Sequence, residues 1–549
     1  MKKQLEGLLQ HALQKTLKGG ALKSNSLPPL ILERPKDPKF GDLACTIALA
    51  LARAERSAPR AIAESIVRHI EDPDGILAET QIEGPGYINF RFSPRFWAQC
   101  LSEVERADYG PAQFGNAQAV LVEFVSANPT GPLTVGHGRN AVLGDAIARL
   151  LDATGHRVAR EYYFNNAGRQ MTLLGESVRA RYRELLGDPP ALPEEGYRGE
   201  YIVEIARQLQ AQRGDGLRDE AATGAFKTAA EQAIFKDIEA TLARLSIRFD
   251  SYFNEDSLYA GGQIEAMLRE LRGRDLAFDH EGAVWLRGEP LGLEKDRVLV
   301  KSSGEPAYRL PDIAYHKEKL GRGFDLLVDV LGADHIAEHE EVRQALRAMG
   351  YNVERIKAVI YQFVTLTRAG VQMKMSTRRA EYVTVDELLD EVGSDAVRFF
   401  FLNRKADSHL EFDLDLAKKQ SADNPVFYVQ YAHARICSLL QQAQKSGVQR
   451  AAAADSHLEV LTAPEEMAVI KLLAQYTDTV EGAARALEPH RVVFYLIDLA
   501  SEFHRFYNRH RVLTEQPQQT AARLYLSWAV RAVIQSGLAL LGVRAPETM

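Results

Sequence analysis

The segment Val122-Glu-Phe-Val-Ser-Ala-Asn-Pro-Thr-Gly-Pro-Leu-Thr-Val-Gly-His-Gly-Arg-Asn-Ala-Val-Leu-Gly-Asp145 sets the reading of the whole chain. Residues 119–125 form an apolar, β-rich run interrupted by one acid, Glu123, as expected of a strand buried on both faces in a parallel sheet. Asn128-Pro129 and Gly131-Pro132 break that strand. Beyond Arg139, the apolar residues Val142, Leu143, Ala146, Ile147, Leu150 and Leu151 recur at helical spacing, which predicts a helix starting just after Gly136-His137-Gly138 with one buried face. A strand that turns through glycines into a helix aims free N–H groups and the positive end of a dipole at whatever lies above it, and this makes an anion site. Neither G-x-x-x-x-G-K-[ST] nor the G-x-G-x-x-G spacing occurs here, so a P-loop or a dinucleotide fingerprint is not the source of that site.

At 549 residues the chain is too long for one core and divides into about three or four domains. With 46% hydrophobic and 26% charged residues it reads as globular. A net charge of −7 argues against indiscriminate coating of nucleic acid, yet leaves room for a basic face toward a structured RNA. Cys45, Cys100 and Cys437 are far apart and form no C-x-x-C pair, so a reducing compartment is expected and a cysteine metal site is not. The opening Met1-Lys-Lys-Gln-Leu-Glu is too polar for a secretion signal and no long apolar run follows, so the expected location is the cytoplasm, with no membrane contact.

Residues 1–112 read as a small α/β unit: a first helix with Leu5, Leu8, Leu9, Ala12 and Leu13 on one face, a later one with Ile62, Ile66, Val67 and Ile70, and a turn at Gly84-Pro-Gly86 feeding an alternating strand to Phe92. Residues 113–385 read as an α/β, doubly wound, Rossmann-like unit with a parallel sheet. Its strands are 119–125, 158–164, 326–331 and 358–364, with a helical insertion at about 170–280 and a hairpin from 284–287 and 298–302. Residues 386–549 read as an all-α helix bundle.

Two motifs carry a family resemblance. Thr134-Val-Gly-His137 resembles the nucleotide-binding HIGH turn of class I aminoacyl-tRNA synthetases, and Met373-Lys-Met-Ser-Thr-Arg-Arg379 resembles their KMSKS loop in a KMSTR variant. Cations and a hydroxyl on such a loop are the chemistry needed to neutralise a polyphosphate. Glu123-Phe-Val-Ser-Ala-Asn-Pro-Thr-Gly-Pro, Tyr308-x-x-x-Asp312-Ile-Ala-Tyr, Asn424-Pro-Val-Phe-Tyr-Val-Gln-Tyr-Ala-His-Ala-Arg435 and Gly542-Val-Arg-Ala-Pro-Glu547 are similar to segments of the bacterial arginyl-tRNA synthetases, so the resemblance spans essentially the whole chain.

That resemblance implies ligation of L-arginine to tRNA(Arg) with ATP and Mg2+ by a monomer holding no metal of its own. It assigns catalysis to His137, Thr134, Lys374, Ser376 and Arg378, and ATP binding to Gly136, His137, Asp334, His335, Lys374 and Met375. It assigns arginine binding to Glu123, Ser126, Asn128, Tyr308 and Asp312. Arginine is a permanently charged planar fork, best held by carboxylates and a stacking ring. Pairing of Glu123 with Arg160 on the next strand is the structural reading of the same acid. For tRNA the resemblance points to Tyr431, Arg435, Arg505 and Arg509, with Asp395-Ala-Val-Arg398 similar to the family's DALR element and the N-terminal unit touching the D-loop corner. Phe503, Phe506 and Tyr507 are expected to face inward. His335-Ile-Ala-Glu-His339 also fits the H-x-x-E-H zinc pattern, although it follows a strand where the family reads adenosine. Thr134 replaces the usual first histidine of HIGH, and Thr377 the second lysine of KMSKS, while Gly131 leaves no compensating lysine. A synthetase for another amino acid, or a non-catalytic tRNA-binding paralogue, are the competing readings.

Overall fold

The computed structural model describes residues 1–24, 26–106, 109–373 and 383–549. The N-terminal unit holds a four-stranded antiparallel sheet in the order Leu32–Glu33, Leu43–Cys45, Tyr87–Phe92, Leu77–Glu83. The helices Lys2–Lys18, Ile47–Glu55 and Pro59–Arg68 pack with it through Leu5, Leu9, Leu13, Leu51, Ile62 and Ile66. Tyr87–Phe92 does not alternate as the sequence pattern implied: Ile88, Asn89 and Phe90 are all buried, because the strand is central and covered on both faces.

The second unit is built on β1 (Ala119–Glu123), α1 (Val135–Ala153), β2 (Arg157–Phe164), β3 (Ser251–Asn254), α2 (Arg309–Gly321), β4 (Leu326–Gly332), α3 (Ile336–Ala348) and β5 (Ile356–Tyr361). The five strands form one parallel sheet in the order β5-β4-β1-β2-β3. The chain winds outward from β1 to β3, returns, and winds the other way from β4 to β5, so the direction reverses between β1 and β4. Ligands of doubly wound sheets sit above the carboxyl ends of the strands at that reversal.

Three details depart from expectation. The strand expected at 358–364 is two strands: β5 stays in the parallel sheet, while Val364–Arg368 turns away to pair with Val371–Gln372 and, in parallel, with Leu410–Asp413. The span read as a helical insertion contains β3, whose four residues were too short to register a period among helices. The hairpin of 283–286 and 297–300 gains a third strand, Ala277–His280.

Helix α1 begins at Val135, so Gly136, His137 and Gly138 form its first turn instead of preceding it. It is buried nearly all round, not on one face, because α4 (Ser394–Leu402) and its neighbours cover the side turned from the sheet. A Cβ on Gly138 would lie 2.9 Å from Val385 and 3.2 Å from Phe401, so the missing side chain there is what admits the later segment.

The helices α5 (Pro425–Lys445), α6 (His490–Arg509) and α7 (Pro517–Leu540), with Pro464–Leu473 and Tyr476–Ala486, form the C-terminal bundle. Phe503 and Phe506 are fully buried and Tyr507 half-buried, as the spacing implied. Arg398 on α4 proves to be structural and does not face a ligand. It is fully buried; its Nε donates to the Leu541 carbonyl at 2.8 Å, its Nη1 to the Leu245 carbonyl at 2.8 Å, and its Nη2 to Asp145 of α1 at 2.6 Å. One guanidinium thus joins α1, the C-terminus of the helix Lys227–Arg244 in the insertion and the end of the bundle's last helix. Asp145 keeps Arg149, Nε to Oδ2 at 2.7 Å, so removing Arg398 strands no charge there, but it takes the buried donor from the Leu245 and Leu541 carbonyls, at a cost of about 1–3 kcal/mol. Arg398→Ala is expected to lose about that much stability, read as a lowered melting temperature, and a melting temperature unchanged from the parent would remove this tie from the account.

Candidate active site

At the carboxyl end of β1 the backbone takes a left-handed course at two consecutive non-glycine residues, Val125 (φ 65°) and Ser126 (φ 41°). A β-branched residue in that region carries strain of about 1–3 kcal/mol, which persists only where surrounding bonds impose it. Here they do: Val125 N–H donates to Asn140 Oδ1 at 2.6 Å, and Asn140 Nδ2 donates to the Val330 carbonyl of β4 at 2.9 Å. Asn140, one turn into α1, therefore stitches the two strands that flank the reversal point.

Thr134 caps α1. Its N–H donates to His137 Nδ1 at 3.2 Å, which leaves the Nε2 of a neutral ring as the proton-bearing nitrogen, free to donate outward. Burial lowers the basicity of His137 below the ordinary imidazole value, which favours the neutral form. A Cβ on Gly136 would meet nothing nearer than Thr134 Oγ1 at 3.9 Å, so the first turn is open above. Lys374, Met375, Ser376 and Arg378 lie outside the described residues. The segment that follows them is fixed on the same turn: Val135 N–H donates to the Val383 carbonyl at 3.3 Å, Val385 N–H donates to the Leu133 carbonyl at 2.8 Å, and Thr134 and Thr384 form a bridge.

Asp334 and His335 stand exposed at the end of β4 and contact one another at 3.6 Å. His335 does not share a ligand position with His339, which turns inward to Asp329 at 3.0 Å. Among the described residues, the trio His316, Asp329 and His339 has the composition of a cation site. It is filled by hydrogen bonds and by the ammonium of Lys319, 2.7 Å from Asp329 Oδ1.

Glu123, 8% exposed, is paired with Lys319 of α2, Nζ to Oε2 at 2.7 Å, and not with Arg160, whose guanidinium turns to Asp145 at 3.9 Å. Its other oxygen accepts from Ser126 Oγ at 3.0 Å. Asp312 lies in the first turn of α2. Burial, then the charges of Glu338, Glu255 and Glu123, hold its carboxyl well above the usual range. Burial likewise pushes up the Tyr163 phenol, followed by Asp312, Glu255 and Glu123. Glu338, Glu255 and Glu123 thus border the same acidic pocket as Asp312 and the Tyr163 phenol, and of these four acids only Glu123 has a cation partner among the described residues. Asn128 is exposed and donates to Gln170 at 2.8 Å, and Tyr308 is 63% exposed, standing outside the pocket.

The sequence reading missed Glu255, Tyr163 and Lys319. Glu255 follows the unrecognised strand β3. Lys319 was visible in principle: Asp312, Tyr315, His316 and Lys319 recur at i, i+3, i+4 and i+7, one face of a helix.

In the bundle, Arg435 lies over the Tyr431 ring at 4.8 Å and the Tyr507 ring at 4.9 Å, and Tyr431 stacks on Phe427 with centroids 5.9 Å apart. Arg505 pairs with Glu502 at 3.2 Å, and Arg509 pairs with Glu465.

A parallel sheet reversing over a strained turn, with a capped histidine helix and the returning segment 383–385 bound to its first turn, is the nucleotide-binding architecture of class I aminoacyl-tRNA synthetases. Methionyl-tRNA synthetase of Mycobacterium tuberculosis shares that fold at a TM-score of 0.53 and 12% identity, covering 77% of this chain and 90% of that one. Residues 101–407 match the family described as "tRNA synthetases class I (R), catalytic domain", residues 3–92 "Arginyl tRNA synthetase N terminal domain" and residues 429–549 "DALR anticodon binding domain". The chain belongs to the arginyl-tRNA synthetase family. It is 49% identical over 551 residues to an arginine–tRNA ligase of Desulfotalea psychrophila and 46% identical over 554 residues to one of Syntrophotalea carbinolica, covering all of each chain in both cases. The arginyl-tRNA synthetase structure from Thermus thermophilus superposes with a TM-score of 0.78 at 25% identity over the whole of both chains.

Proposed function

We propose that this chain, acting as a single polypeptide, activates L-arginine with ATP and transfers it to tRNA(Arg), through the residues described above. The arginine carboxylate attacks the α-phosphate, giving arginyl-adenylate and pyrophosphate; a terminal ribose hydroxyl of the tRNA then takes the arginyl group and releases AMP. No covalent enzyme intermediate is needed, so positioning and charge stabilisation carry the rate.

The observation that carries this reading is the meeting of segment 383–385, which follows the KMSTR stretch closely in the sequence, with the first turn of α1 that carries the capped histidine. In this reading the His137 Nε2–H, the Thr134 hydroxyl and the N-terminus of α1 hold phosphate oxygens, Gly136 gives adenine access to the backbone, and Asp334 and His335 face the nucleoside. Lys374, Ser376 and Arg378 close over the departing pyrophosphate, with Met375 against the nucleotide. These phosphate-side groups are donors, not carboxylates, so a Mg2+ ion fits as a companion of the ATP phosphates, where it neutralises their charge. Glu123, Asp312 and Glu255 receive the guanidinium, Tyr308 closes over it, and Ser126 and Asn128 hold the α-amino group. The Tyr431–Arg435–Tyr507 cluster, with Arg505 and Arg509 on the neighbouring helix, offers rings and cations to unstacked anticodon bases.

Purified protein with tRNA(Arg) and radiolabelled arginine is expected to charge the tRNA only when ATP is present, and Lys374→Ala to lower kcat for ATP–pyrophosphate exchange by roughly 100-fold. Charging without ATP, or exchange unchanged in Lys374→Ala, would remove the assignment. The raised Asp312 carboxyl gives a pH test. In the free site Asp312 binds its proton more tightly than an ordinary carboxyl, and the guanidinium requires the ionised form, so arginine binding releases a proton. The KM for arginine is therefore expected to fall as pH rises from the ordinary carboxylate range toward the raised Asp312 value, by at most about tenfold per unit for one proton. A KM that rises over that range contradicts the role of Asp312.

A further inference from the structure

Lys319 is fully buried, yet carries no substrate assignment. Its Nζ lies 2.7 Å from Glu123 Oε2 on β1 and 2.7 Å from Asp329 Oδ1 on β4, and these two acids are register partners on adjacent strands. From its own helix, the Tyr315 ring lies 4.5 Å from Nζ and His316 reaches Asp329 Oδ2 at 3.2 Å; from α3, His339 reaches the same oxygen at 3.0 Å. Glu161 of β2, partnered by Tyr315, Ser251 and Arg322, closes the group on the far side.

Two carboxylates side by side and out of water do not both stay ionised unless a cation is shared between them. Lys319 is that cation. Each oxygen of Glu123 thus holds one internal donor, Lys319 Nζ or Ser126 Oγ, and keeps a second acceptor position. The same helix face carries Asp312, whose backbone carbonyl accepts from His316 Nδ1 at 2.8 Å, so the backbone that carries Asp312 is joined to the set that holds Glu123.

We propose that Lys319 is a positioning residue for arginine recognition, which acts through Glu123 by sharing one ammonium between Glu123 and Asp329 and so keeps Glu123 charged and aimed. This rests on the reading of Glu123 as a guanidinium ligand. Without Lys319, Glu123 and Asp329 hold one proton between them, and Glu123 spends part of its time neutral. Removing the Asp329 charge as well ends that competition.

The test uses tRNA-dependent ATP–pyrophosphate exchange by the full chain. Lys319→Met is expected to raise the KM for arginine about tenfold or more while the KM for ATP stays within about twofold, and the defect is expected to shrink as pH rises and the shared proton leaves. The double variant Lys319→Met/Asp329→Asn is expected to recover about threefold or more of the lost arginine KM, an outcome a loss of packing does not produce. It also keeps the test available where the single variant does not fold, its arginine KM then lying between the parent's and that of Glu123→Gln. Glu123→Gln separates the two layers of argument. If it leaves the arginine KM unchanged, the pocket reading falls and takes the role of Lys319 with it. If it raises the KM and Lys319→Met does not, or if Lys319→Met impairs arginine and ATP alike at every pH, or if the double variant recovers nothing, the role of Lys319 is overturned alone.

Discussion

Two carboxylates and one ammonium, all out of water, meet where the sheet reverses direction, and the candidate active site is arranged around them. Ionised groups are costly in a protein interior unless their charges are matched and their hydrogen bonds filled. Glu123 and Asp329 are matched through Lys319, and Asp329 is filled further by two imidazoles. Although burial works to raise it, Lys319 and the histidines hold Asp329 well below the usual carboxylate range. Asp312 is not matched in this way. Its surroundings add negative charge to negative charge, and a guanidinium is the kind of guest that relieves it.

The same economy governs α1. Its buried polar residues each spend their bonds on a joint between segments. Asn140 joins β1 to β4, Arg139 donates to the carbonyls of Gln362, Lys405 and Ser408, and Asp145 takes Arg398. The helix that carries His137 in its first turn is thus also the helix on which the sheet, the loop after β5 and the C-terminal bundle are hung. Strain at Val125 and Ser126 is paid for by these joints, and it sets the direction in which Ser126 faces the pocket.

Much of this was legible in the residues. The apolar run before Glu123, the periodic α1 and the two motifs similar to HIGH and KMSKS point to a doubly wound sheet of the class I kind, because period and turn chemistry are local properties. What was not legible is what tertiary context decides. Ser251–Asn254 is too short to show a strand period, so Glu255 went with it. Arg398 sits in a segment similar to the DALR element and still proved to be an internal clamp, since its partners, Asp145, Leu245 and Leu541, are far apart in sequence. Glu123 was expected to pair with substrate or with Arg160, and its actual internal partner lies on a helix almost two hundred residues away. Among the described residues, no helix is long and apolar enough to cross a membrane, and the three cysteines are free and buried.

The claim at the centre is that the pocket is built to receive positive charge, and citrulline tests it directly, because it keeps the shape of arginine and replaces the guanidinium with a neutral ureido group. In tRNA-dependent ATP–pyrophosphate exchange, citrulline is expected to be discriminated against by about 10⁴ in kcat/KM, the scale reached by sites whose buried polar groups are left unpaired by an analogue. Exchange with citrulline within about tenfold of that with arginine would contradict an electrostatic pocket and leave only its shape to account for recognition.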